Sequence, residues 1–123
     1  MIRVLIADAS VDVQSSITRL LHDVGGFVVV GAASSAAEVI ELSCSLRPNI
    51  VILDSQLPGP DGVVATRRLK QLPEALGVLV LAVFPEALEM GRDAGADGVL
   101  MKDCEPDDLV ALTRQIASMD WAS

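Results

Sequence analysis

Apolar residues fall along this chain in two alternating rhythms. Short unbroken runs at Val4–Ala7, Phe27–Ala32, Ile50–Leu53, Val78–Val83 and Val99–Met101 read as five strands. They lack the apolar–polar alternation of a half-solvated sheet, so both of their faces are expected to be covered. Between the runs, apolar residues recur at helical spacing. Val13, Ile17, Leu20, Leu21 and Val24 line one helix face, with Ser10 as N-cap and Gly25-Gly26 as the stop. A second helix runs from Ser34 or Ser35 to Leu46 and ends at Arg47-Pro48. A third spans Gly62 to Leu72, capped by Asp61 and closed by Pro73. A fourth lies between Pro85 and Ala94, before Gly95. The fifth opens on Pro106 as a first-turn proline, sets Asp107 and Asp108 against the helix dipole, and buries Leu109, Leu112 and Ile116.

Strand and helix thus alternate five times. Right-handed crossovers turn such a (βα)5 order into an α/β fold, an open parallel sheet with helices on both faces. Ligands in these sheets bind beyond the carboxyl ends of the strands. Residues 1–118 form one expected domain, and Met119–Ser123 is a patternless tail expected to fray.

A chain of 123 residues suits one domain that folds without a disulfide or metal. Its net charge of −8 rests on only nine Lys and Arg, too few for a phosphate-backbone footprint, so direct nucleic-acid binding is not expected. Cys44 and Cys104 sit outside any metal-ligand spacing and read as free thiols of a reducing compartment. The opening apolar run stops at Asp8, and no run approaches the roughly 20 residues that span a bilayer. The expectation is a cytoplasmic chain with no membrane partner.

Three charges mark the strand ends: Asp8 after the first, Asp54 at the third, Lys102 after the fifth. In a parallel sheet these ends share one edge, so two carboxylates and one ammonium converge. That set suits phosphoryl transfer, which depends on positioning and charge neutralisation. A carboxylate can be the nucleophile and form an acyl phosphate. Mg²⁺ can join paired carboxylates to phosphate oxygens, and a lysine can offset the phosphoryl charge.

The segments "RVLIAD", "RPNIVILDSQLPGPDG", "ATRRLK" and "AGADGVLMKD" carry a resemblance over Ile2 to about Ala117. The chain resembles the receiver domain of two-component response regulators, in the NarL/FixJ-type branch. Asp54 to Gly62 fits the pattern D-x-x-[ML]-P-x-x-D-G through Leu57, Pro58 and Asp61-Gly62. The resemblance implies a flavodoxin-like sheet of order 2-1-3-4-5. It implies Asp54 as phosphoacceptor, Lys102 as the phosphoryl-contacting lysine, and Asp8, Asp54 and the Gln56 backbone carbonyl as the Mg²⁺ site. It implies a sensor histidine kinase or other signalling protein as partner. A homodimer would form through the fourth helix, fifth strand and fifth helix, or through the first and fifth helices. Such a domain is not an enzyme beyond its own phosphorylation by a kinase or small phosphodonor. Many relatives carry a helix-turn-helix output domain after the receiver. None follows Ile116 here, so the chain is a stand-alone receiver or the receiver part of a longer regulator, touching DNA only through that other domain.

Three positions depart from the family. Ala9 replaces the second of two adjacent acids, the one that ligates Mg²⁺ directly; Asp8 moving inward or Asp12 reaching back are the available substitutes. Ala82 stands where a Ser or Thr hydroxyl bonds the phosphoryl oxygen, and Val99 where a Tyr or Phe ring swings inward. The segment Phe84–Gly95 is also about two residues short. These changes point to an atypical, weakly phosphorylated receiver used mainly for interaction. A phosphorylation-independent binding module is the alternative. A flavodoxin-like cofactor binder is a remote one, because "DASVDVQ" makes a poor phosphate loop. His22 reads as a surface histidine, Arg67, Arg68 and Lys70 as a solvated basic face, and Cys104 as an unreactive thiol. Leu100 and Met101 fit core or partner surface equally.

Overall fold

A computed structural model describes residues 1–59 and 61–119. The elements run β1 (Ile2–Ala7), α1 (Val11–Val24), β2 (Phe27–Ala33), α2 (Ala36–Leu46), β3 (Ile50–Asp54), α3 (Gly62–Leu69), β4 (Gly77–Ala82), α4 (Pro85–Asp93), β5 (Gly98–Met101) and α5 (Pro106–Ala117). The five strands form one parallel sheet in the order β2-β1-β3-β4-β5, as the (βα)5 pattern and the flavodoxin-like expectation require.

Alternation along each central strand divides the core in two. Leu5, Ala7, Val51, Leu53, Val78 and Val80 face α2 and α3, packing with Val39, Ala65 and Leu69. Val4, Ile6, Ile50, Ile52, Leu79 and Leu81 face the opposite layer, packing with Ile17, Leu21, Leu109 and Ile116. Every residue of β3 and β4 is buried, which is why these segments read as continuous apolar runs. Truncating one fully buried leucine such as Leu79 to alanine costs about 2–5 kcal/mol.

Caps set the helix starts. Ser10 Oγ accepts from Val13 N–H at 3.3 Å, and Asp61 Oδ1 from Val64 N–H at 3.0 Å. At α2, Ser35 Oγ accepts from Glu38 N–H while Glu38 Oε1 accepts from Ser34 N–H, a reciprocal arrangement that satisfies two otherwise unpaired donors. Arg47, at φ 50°, closes α2 in the left-handed region ahead of Pro48.

Each strand extends one or two residues beyond the expectation at one end, β1 starting at Ile2, and two boundaries fall short of it. Helix α3 stops at Leu69 instead of Leu72, because Gln71 and Leu72 donate back to Arg68 and Leu69 in tighter turns before Pro73. Val83 leaves β4, because its N–H goes to a serine side chain and not to the ladder. Helix α5 is capped at Ser118. Of the tail Met119–Ser123, residues 120–123 lie outside the described residues. Among the described residues, no helix is long and apolar enough to cross a membrane.

Lys70 is not part of a solvated basic face. Its ammonium lies 2.8 Å from Asp97 Oδ2 and donates to the Leu76 carbonyl at 3.0 Å. Asp97 Oδ2 also accepts from Val78 N–H at 2.8 Å. The aspartate of "GADG" therefore ties α3 to the amino ends of β4 and β5. Arg67 and Arg68 are exposed, as expected.

Candidate functional site

Register brings the three strand-end charges together. Ala7 pairs with Leu53, and Asp54 with Leu81, so β1 and β3 end level with each other. Asp8 N–H continues the β1 ladder onto the Ala33 carbonyl at 2.9 Å, and Lys102 N–H continues β5 onto the Ala82 carbonyl at 2.8 Å. Lys102 Nζ then lies 2.7 Å from Asp8 Oδ2 and 2.9 Å from Asp54 Oδ2. The side chains of Asp8 and Asp54 are 3% and 8% exposed, that of Lys102 27%, so the acids are dry and the ammonium is partly wet.

The remaining carboxylate oxygens are also held. Ser10 N–H donates to Asp8 Oδ1 at 2.8 Å, and Gln56 N–H to Asp54 Oδ1 at 2.9 Å. The Gln14 side-chain amide donates to the Asp8 carbonyl at 2.7 Å, fixing the turn from β1 into α1. Burial pulls the Lys102 pKa down, but hydrogen bonds to Asp8 and Asp54 and their negative charge outweigh it, leaving the ammonium above the ordinary lysine value.

Glycine at 62 is a geometric requirement. A Cβ there would sit 2.0 Å from the Asp54 carbonyl oxygen and 2.8 Å from Ser55 Cα, because the first turn of α3 lies directly over the end of β3. Gly62 N–H donates to the Ser55 carbonyl at 3.0 Å, and Ser55 N–H to the Leu81 carbonyl at 2.9 Å. The loop carrying Gln56 is thus pinned on both sides, and the buried Leu57 anchors it in the α2–α3 core layer.

The residues present offer a Mg²⁺ one acid fewer than the expected set. Ala9 is exposed and offers no ligand atom, and Asp12 lies exposed in the first turn of α1, in a groove it shares with Lys102. Two carboxylates and the Gln56 carbonyl remain; an ion held by them would complete its octahedron with water or phosphate oxygens and would lack the charge of a second adjacent acid. One oxygen of each carboxylate already faces the Lys102 ammonium. Among the described residues no three His, Cys, Asp or Glu side chains gather into a metal-sized group.

The other two departures are equally concrete. Ala82 is fully buried at the end of β4 and contributes only a methyl group. Val99 is half-buried on the α2–α3 side, with its Cγ1 3.0 Å from where a Cβ on Gly91 would project, so α4 packs closely over it. Leu100 packs half-buried against the α1–α5 side, and Met101 is half-buried as well. A groove of about 560 Å³ opens beside the site, between Ser55, Gln56, Leu57 and Asp61 on one wall and Phe84, Glu86 and Met90 on the other. His22 is 87% exposed. Cys44 and Cys104 are free; burial and then the carboxylates of Asp108 and Asp103 push the Cys104 thiol above its ordinary pKa.

Sequence reasoning placed Asp8, Asp54 and Lys102 correctly at one edge. It passed over Ser55 and Gln14, whose partners lie 28 and 6 residues away and are set by the packing of neighbouring strand ends.

The family model for the response regulator receiver domain matches residues 4–114. The chain is 35% identical to the response regulator GacA of Pseudomonas aeruginosa over 121 residues, covering 94% of this chain and 55% of that protein. It is 31% identical over 117 residues to the nitrate/nitrite response regulator NarL of Escherichia coli, covering 94% and 54%. The chain therefore spans about half the length of the curated relatives it matches. Among solved structures, the signal receiver domain of NarL from Mycobacterium tuberculosis superposes with a TM-score of 0.90 at 26% identity, covering 97% of this chain and 98% of that one. A LuxR-family two-component response regulator from Aurantimonas superposes with a TM-score of 0.88 at 30% identity, covering 94% and 84%. The chain belongs to the response regulator receiver domain family, in its NarL/FixJ-type branch.

Proposed function

We propose that this receiver accepts a phosphoryl group on Asp54 inefficiently, and that Lys102 bridges both acids of its resting pocket and offsets part of their charge in place of a tightly held metal ion. One observation carries the reading: a single ammonium sits within 2.9 Å of both buried acids. Asp54, a buried carboxylate at a strand end, is held by the Gln56 amide and Lys102 in one orientation. In the transfer, one Asp54 oxygen forms a bond to phosphorus, and the donor's leaving atom, the ring nitrogen of a phosphohistidine or the bridging oxygen of an acyl phosphate, departs with the electron pair of the bond that breaks. The new group carries about −1.5 to −2 charge and three strong acceptor oxygens. Lys102 offsets part of that charge. Asp8, Asp54 and the Gln56 carbonyl are the ligands any Mg²⁺ would use, short of a second acid at Ala9, and such an ion would be held weakly.

The phosphodonor is a sensor histidine kinase or a small acyl phosphate, in the cytoplasm, and the chain catalyses nothing beyond its own phosphorylation. DNA contact, where the whole regulator has it, belongs to a separate output domain. Two copies pair through α4, β5 and α5 or through α1 and α5; a concentration-independent monomer mass would count against the pairing. The alternative of a phosphorylation-independent interaction module is favoured by one feature, the partial offset of the acids' charge by the protein's own lysine. Intact-protein mass after incubation with acetyl phosphate and Mg²⁺ separates the two. The proposal expects a partial gain of one phosphoryl mass that is absent in Asp54→Ala. No gain at any donor concentration supports the interaction module.

A further inference from the structure

A phosphoryl group on Asp54 needs hydrogen-bond donors, and most donors near it are already engaged. Gln56 N–H is given to Asp54 Oδ1, Ser10 N–H to Asp8 Oδ1, and the Lys102 ammonium bonds one oxygen of each acid. Ala82 has no polar side-chain atom. What remains at the end of β4 is a pair of groups bonded to each other: Val83 N–H donates to Ser55 Oγ at 3.3 Å. The bond is at the long end for such a pair.

Ser55 is 5% exposed and directly follows Asp54. Its backbone is fixed from both sides, by the Leu81 carbonyl and by Gly62 N–H, so the hydroxyl rotor is its movable part. A serine hydroxyl accepts and donates at once. Here it accepts from Val83, and its own proton goes to no acceptor among the described residues. A buried hydroxyl with a free proton, one residue from the phosphoacceptor and bonded to the peptide that follows Ala82, is a candidate donor beside the pocket.

We propose that Ser55 supplies the hydroxyl that Ala82 lacks. With a phosphoryl group on Asp54, the Ser55 O–H donates to one phosphoryl oxygen, and Val83 N–H, freed from Oγ, donates to the same oxygen or its neighbour. Because Val83 and Phe84 are the two residues joining β4 to α4, the exchange also passes the state of Asp54 to the start of α4. The inference rests on the reading of Asp54 as the phosphoacceptor.

The test uses the full chain and beryllofluoride with Mg²⁺, a mimic of the phosphoryl group. Amide NMR follows the Val83 and α4 signals, and thermal unfolding without the mimic is run beside it. Wild type takes the mimic and shifts the Val83 amide. Ser55→Ala binds it about tenfold or more weakly, as the loss of one hydrogen bond to a charged group predicts. Ser55→Thr retains binding, and Ser55→Ala combined with Ala82→Ser regains it, since the hydroxyl returns from the adjacent strand end. A purely structural capping role would not be rescued by Ala82→Ser. Unchanged affinity in Ser55→Ala, or equal loss in the single and double variants, overturns the role of Ser55 while leaving Asp54 as acceptor. Failure of the wild type to take either mimic or phosphoryl group overturns both readings.

Discussion

Replacing Lys102 with methionine keeps most of the stem and removes the charge between Asp8 and Asp54. The two carboxylate oxygens that now share the ammonium are at most about 5.6 Å apart, the two contacts laid end to end. At an effective dielectric of about 20, two unit charges at that distance repel by roughly 3 kcal/mol. The side chain of Lys102 is 27% exposed, so water enters where the ammonium was, and a net loss of about 1–2 kcal/mol is expected. For a domain of this size that lowers the unfolding midpoint by roughly 4–8 °C. The assay is thermal unfolding by circular dichroism at neutral pH and low ionic strength, for wild type, Lys102→Met, Asp8→Asn and the double variant. Removing one acid should return most of the lost stability, so the cycle is non-additive by about 1–2 kcal/mol. Mg²⁺ should raise the midpoint of Lys102→Met more than that of wild type, because an ion that binds only the folded chain can then enter between the acids. A midpoint for Lys102→Met equal to wild type, or an additive cycle, would refute the assignment of Lys102 as the pocket's own counter-ion.

Three further outcomes are expected. Gly62→Ala should destabilise by about 3 kcal/mol, the upper range of overpacking, and displace the Asp54 amide signals, since its Cβ meets the Asp54 carbonyl at 2.0 Å; wild-type stability there would contradict the packing of α3 on β3. With iodoacetamide near pH 8, exposed Cys44 should be modified well before Cys104, whose thiol burial holds above its ordinary pKa; peptide mapping showing the reverse order would contradict this. Because the folded-state pKa of Lys102 lies above its ordinary 10.5, its stabilisation is complete below pH 10.5 and is lost as pH rises through the higher folded value. Cys104, also raised from 9.0, contributes its own alkaline loss, so Lys102→Met should show a smaller limb than wild type and Lys102→Met with Cys104→Ala a smaller one still, as denaturant titrations across this range will show.

The strands were legible because both faces of the sheet are covered, which leaves runs such as Ile50–Leu53 without a polar break. The caps Ser10, Ser35 and Asp61 act locally, within three residues, and were readable for the same reason. Arg3, inside β1, was not: it pairs with Val28 at the amino end, where an exposed charge is tolerated and breaks the apolar pattern. Lys70 was misread because its partner Asp97 is 27 residues away and meets it only through the crossover from β4 to β5. Ser55 stood at a variable position of the motif. Its role depends on Val83, 28 residues later, and on a neighbouring methyl group at Ala82 that becomes informative only once β3 and β4 end side by side.

The most direct test of the account is the rate of acyl-phosphate formation from acetyl phosphate across a Mg²⁺ titration, for wild type and Ala9→Asp. Position 9 is exposed, so the substitution is tolerated and restores the missing acid. The account predicts a slow wild type that does not saturate with Mg²⁺, and an Ala9→Asp variant at least tenfold faster that does. A wild type that saturates at low Mg²⁺ and matches Ala9→Asp would contradict it.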